Sequence, residues 1–123
     1  MTRIDNGTIC VTNEMIELVV YLDERGRSPF ERWRASLDVV TRARVSKALE
    51  RVVEGNVSNL KGLPGGIGEL KIDAGPGYRV YLGRDGCQII VLLGGGTKKK
   101  QQDDIAAALN RWREYKRRSG SRE

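Results

Sequence analysis

The apolar pattern predicts a small α+β domain of order β-α-α-β-β-β-α, with a mostly antiparallel sheet packed against helices. Three observations carry that prediction. Residues 67–93 alternate with the period of strands and are interrupted by two turn sequences, Ala74-Gly75-Pro76-Gly77 and Arg84-Asp85-Gly86. Val45, Ala48, Leu49, Val52 and Val53 recur at i, i+3, i+4, i+7 and i+8, the spacing of one helix face. Ile105, Ala108, Leu109 and Trp112 repeat that spacing near the C-terminus.

The 123 residues suit one domain with a single core. Residues 1–14 are polar and weakly patterned, and are expected to form a flexible extension. The domain proper spans 15–116, and 117–123 is a basic tail. Met15 to Leu22, rich in β-branched residues, predicts the first strand. Ser28-Pro29-Phe30-Glu31 predicts a helix start: Ser28 caps, Pro29 fits the first helical position, and Glu31 completes a capping box. A second helix is expected from near Thr41, with Gly55 or Asn56 ending it. Its basic residues Arg42, Arg44, Lys47 and Arg51 fall largely on the side away from the apolar stripe, and a solvated face is the plain reading of them. Residues 58–66 read as a loop shaped by Gly62, Pro64, Gly65 and Gly66.

Three strands follow. Opposed residues of an antiparallel pair share a face, so Leu70 should oppose Val80, and Ile72 should oppose Tyr78. That register leaves a loop of Asp73 to Gly77 and sets Lys71 opposite Arg79, both off the core. Gln88 to Leu93 is nearly continuous in apolar residues, as for a central strand, and ends at Gly94-Gly95-Gly96 and Lys98-Lys99-Lys100. The last helix is expected from Gln101 to Tyr115, with Asp103 and Asp104 in its first turn. Trp33 and Trp112 are expected in the core.

The formal charge is +6, and most of it lies late in the chain: residues 98–123 hold nine Lys or Arg against four Asp or Glu. An acidic partner suits that balance. Histidine is absent, which removes Ser-His-Asp and Cys-His catalysis and most zinc or iron sites. There is no Walker sequence and no GxGxxG. Cys10 and Cys87 are far apart, form no CxxC, and are expected to be reduced thiols of a cytoplasmic protein. No apolar run is long enough to span a membrane.

Several words, taken in order, resemble the RelE/ParE superfamily of type II toxins, and within it the HigB-like addiction module killer proteins. They are Glu54-Gly55-Asn56, Glu69-Leu70-Lys71, Gly75-Pro76-Gly77-Tyr78-Arg79-Val80-Tyr81, Leu92-Leu93-Gly94-Gly95, Lys98, and Gln102-Asp103-Asp104-Ile105 with Ala107. The resemblance extends over roughly residues 15–116, nearly the whole domain. The resemblance implies a RelE-like fold and cleavage of messenger RNA on the ribosome, inhibiting translation without a cofactor or metal. It implies an antitoxin partner carrying a helix-turn-helix, through which alone operator DNA would be met.

Cleavage by the RNA's own 2′-hydroxyl needs a base, cations on the crowded phosphorane, and an acid for the leaving oxygen. Arg79 is the leading candidate, because its planar fork suits phosphate oxygens and the family places an Arg there. Lys71, beside it, is a candidate base or phosphate contact. Lys98 matches the family's lysine after the Gly-Gly pair, and Lys99 and Lys100 extend it toward RNA. Tyr81 is a candidate for stacking on a base. Glu69 is expected to hold Arg79 in place. Asp104 is expected to be structural, since a helix N-terminus favours its charged form and disfavours it as an acid. Two other readings keep the same fold: a ParE-like poison of DNA gyrase with no nuclease activity, and a remnant that only binds antitoxin.

Overall fold

A computed structural model describes residues 16–119 in full, together with the backbone of residues 2–5 and 8–11. Strands β1 (Thr2–Asp5) and β2 (Thr8–Val11) pair antiparallel in a sheet of their own. The expected flexible extension therefore contains a hairpin, and the rest of it lies outside the described residues.

The domain is α+β, built on a five-stranded mixed sheet. β3 (Glu17–Val20) leads into α1 (Pro29–Ala35) and α2 (Val39–Val53). β4 (Leu60–Leu63), β5 (Ile67–Ile72), β6 (Tyr78–Asp85) and β7 (Ile89–Thr97) follow, then a short 3-10 turn (Lys98–Lys100) and α3 (Gln101–Arg118). The sheet order is β3-β7-β6-β5-β4, with β3 parallel to β7 and the other neighbours antiparallel.

The helix starts follow their capping chemistry. The Ser28 hydroxyl accepts the Glu31 amide at 3.0 Å. Asp38 accepts the Thr41 amide at 2.7 Å, which starts α2 two residues before the expected Thr41. At the far end the Asn56 amide donates to Arg51 O and the Gly55 amide to Val52 O. This is a Schellman turn, and Gly55 supplies its positive φ.

Two cores flank the sheet. Phe30, Val45, Leu49 and Val52 of α1 and α2 pack on Leu70, Ile72, Val80, Leu82, Ile90 and Leu92. Ala108 and Trp112 of α3 pack on Tyr21, Ile67, Tyr81, Val91 and Leu93. β7 lies between β3 and β6 and is covered on both faces, which accounts for its unbroken apolar run.

Four expectations are corrected. Residues 60–63 are an edge strand, because Leu60 and Leu63 fall opposite Leu70 and Ile67 despite the surrounding glycines. The glycine triplet continues β7 to Thr97. There, one face of Gly95 admits the Trp33 ring, while Gly94 and Gly96 admit Arg111 and Asp104 on the other. A bulge at Leu93 places Gly94 opposite Tyr81 and Leu92 opposite Leu82. α3 runs on to Arg118, whose guanidinium donates to Leu22 O at 2.7 Å and to Glu114 at 2.9 Å, so the tail begins later than expected. Cys87 is disulfide-bonded, not a free thiol. The other cysteine in the sequence, Cys10, has its side chain outside the described residues. The absence of a CxxC does not bar a bond between residues distant in sequence, which is why spacing missed it. No helix among the described residues is long and apolar enough to cross a membrane.

Candidate nucleic-acid site at the hairpin tip

The β5–β6 register is the expected one: Leu70 opposes Val80, Lys71 opposes Arg79, and Ile72 opposes Tyr78. The loop of residues 73–77 closes this hairpin, and the Lys98 amide donates to Gly77 O at 3.2 Å. Arg79 also stands opposite Gly96 of β7. Two strand pairings and one backbone bond thus bring Lys71, Arg79 and the Lys98 turn to one end of the sheet. Lys71, Lys98, Lys99 and Lys100 are exposed there. The three lysines of the turn line a cavity of about 210 Å³ with Gln101, Gln102 and Asp103.

The face that carries Arg79 is not open, as the alternation suggested, because α3 crosses it. Tyr81, two residues along that face, is 1% exposed. It cannot stack on a base: its ring packs in the α3 core, and its hydroxyl donates to Glu69 at 3.3 Å. Burial, with Glu69 and Asp104 nearby, pushes the Tyr81 pKa up and keeps the phenol a donor.

Glu69 is a buried carboxylate with three partners. It accepts from Gln101 Nε2 at 2.6 Å and from Tyr81, and its Oε2 lies 3.4 Å from Arg79 Nε. It holds Arg79, as expected. The Arg79–Glu69 contact is close enough for an ion pair but too poorly aligned for a hydrogen bond. Arg79 Nε and Nη1 are buried without a hydrogen-bond partner. Both nitrogens are shut off from solvent, so an added anion meets Arg79 only at the edge of a side chain that is 11% exposed.

Asp104 departs from expectation. It sits in the first turn of α3, where the helix favours its charge, yet its pKa is raised from the ordinary aspartate value. Burial against Gly96 is the main cause and Asp103 adds to it, outweighing Lys100 and Arg111. Asp104 is thus better suited to be an acid than its position in the sequence suggested. A pKa raised by folding also sets the sign of its effect on stability. The contribution is present below the unfolded pKa and lost as pH rises through the folded one. Asp104→Asn is therefore expected to melt higher than the parent protein at pH 7. The gap should shrink as pH falls through the raised folded-state pKa and be closed below about 4, and paired melting curves would show this.

Two residues of the site escaped sequence reasoning. Gln101 looked like an ordinary first-turn polar residue, and only the fold brings it to Glu69. Arg111 donates to Leu93 O at 2.9 Å across Gly94. Its seven-residue spacing from Asp104, on the side of α3 that packs on the sheet, was the available signal.

No family model matches the chain. An uncharacterized protein of Haemophilus influenzae is 38% identical over 64 residues, 51% of this chain and 65% of the relative. The chain thus spans slightly less than two thirds of the length of that similar bacterial protein.

Proposed function

We propose that this chain is a toxin of a type II toxin–antitoxin module with a RelE-like fold, and that it cuts messenger RNA on the ribosome. The observation that carries this reading is the meeting of Lys71, Arg79 and Lys98 at the tip of the β5–β6 hairpin. The reaction is attack of a 2′-hydroxyl on the adjacent phosphorus. A bond forms from the 2′-oxygen to phosphorus, the bond to the 5′-oxygen breaks, and a 2′,3′-cyclic phosphate and a 5′-hydroxyl result. The 2′ proton passes to a base, for which Lys71 is the candidate, and an acid protonates the leaving oxygen. The exposed edge of the Arg79 guanidinium suits the phosphorane oxygens, and Lys98 adds charge. Asp104, with its raised pKa, is the candidate acid.

The partner is an antitoxin carrying a helix-turn-helix, whose acidic surface would complement a chain of charge +6. One observation favours the ParE-like gyrase reading instead: Arg79 is engaged by Glu69 rather than standing free. The two readings part in a bacterium induced to make the protein. New RNA 5′ ends within minutes, at fixed codon positions in translated frames and absent with Arg79→Ala, are the expected result. Growth arrest with DNA damage and no new ends would transfer the proposal to gyrase.

A further inference from the structure

The exposed face of α2 carries cations that the hairpin site does not use. Arg44, Lys47 and Arg51 lie at i, i+3 and i+7, so they share one side of the helix, and all three are exposed. The row is about 10 Å long. Among the described residues none of the three makes an ion pair, although Glu50 and Glu54 lie nearby on the same helix. A solvated face needs no more explanation than this, but both ends of the row carry further structure.

At one end, Arg44 Nη1 donates to Asp73 O at 3.4 Å. Asp73 opens the loop whose last residue, Gly77, accepts the Lys98 amide, so the row is joined to the tip that bears Lys71 and Arg79. At the other end, Arg51 lines a cavity of about 160 Å³ with Asn56, Ser58 and Asn59. Asn56 Oδ1 accepts both the Ser58 amide at 3.2 Å and its hydroxyl at 2.9 Å. With its oxygen engaged, the Asn56 amide has only N–H donors left to offer, and the Arg51 guanidinium beside it is donor-only. A cavity edged by such groups suits an anion with several acceptor oxygens. Asn59 O in turn accepts the Lys71 amide at 3.1 Å, so the cavity's own loop is hydrogen-bonded to the strand that carries Lys71.

We propose that this face of α2 is an RNA-binding surface. The phosphodiester backbone of an RNA runs along Arg44, Lys47 and Arg51, with one phosphate in the cavity at Arg51 and Asn56. The 73–77 loop leads the strand to the hairpin site, and only this direction of travel rests on the cleavage reading. The row presents its cations at intervals along an extended ligand, as a phosphodiester backbone requires.

The test is equilibrium binding of a fluorescein-labelled 20-nucleotide oligouridylate, followed across potassium chloride concentrations. The triple variant R44Q/K47Q/R51Q alters only exposed side chains, and circular dichroism checks its fold. Three lost phosphate contacts at about 0.7 each lower the salt slope by roughly two, and affinity in low salt is expected to fall at least tenfold. An unchanged slope and affinity would overturn the proposal. An equal loss of affinity for polyglutamate of matched charge would also overturn it, since the surface would then be one for an acidic protein. If the parent protein makes no cuts in cells but the triple variant still loses RNA binding, the cleavage reading fails and this surface stands.

Discussion

Arg79→Ala is expected to lower the proposed RNA cleavage by about 10²–10³-fold, the usual cost of removing one donor from a developing oxyanion. The same substitution is expected to destabilise the fold, because Glu69 stays buried and loses its cation. Breaking a buried pair costs ~3–5 kcal/mol. The loss here should lie at the low end, since Gln101 and Tyr81 still donate to the carboxylate. The two effects separate in the double variant Arg79→Ala/Glu69→Gln, which removes the stranded charge and should recover most of the melting temperature without recovering cleavage. Arg79→Lys keeps a charge but loses the planar fork, and is expected to fall between the parent and the alanine variant. Full cleavage by a folded double variant would remove Arg79 from the chemistry.

Trp112→Ala is expected to cost ~3–5 kcal/mol, the range for emptying a buried aromatic site. Trp112 is 4% exposed and fills the space that Gly83 leaves, where a built Cβ would lie 2.5 Å from its ring. Tyr115 stacks on it at 5.5 Å between centroids, and the Lys116 ammonium lies 5.5 Å from its centroid. The backbone around Gly83 cannot close over the void without drawing α3 inward along its length. Urea titration measures the loss. A cost below about 1 kcal/mol would mean that the helix is held elsewhere, chiefly by Arg118 and by the Tyr21–Glu114 hydrogen bond at its far end. Because α3 also carries Gln101 and Asp104, the variant is expected to loosen the cover over Glu69.

Local rules made much of this chain legible. Ser28 and Gly55 mark helix ends by capping chemistry that acts within a few residues. The pairing of Lys71 with Arg79 followed from alternation alone, because a slip of one residue would have turned Leu70 and Ile72 out of the core. β4 was not legible in the same way. It has only four residues and two useful side chains, and its partner supplies what its own sequence lacks.

The sequence by itself determined the order of most elements, the hairpin register, and the presence of an arginine and several lysines near one turn. Those features depend on spacing along the chain. Only the tertiary structure decided which side of the sheet is covered. α3 crosses the Arg79 face, buries Tyr81, brings Gln101 to Glu69 and presses Asp104 onto Gly96. A strand's alternation states that two faces exist but not which helix lies on each. The burial of Glu69 and the raised pKa of Asp104 arise from contacts between residues distant in sequence, where desolvation outweighs the local helix-end preference.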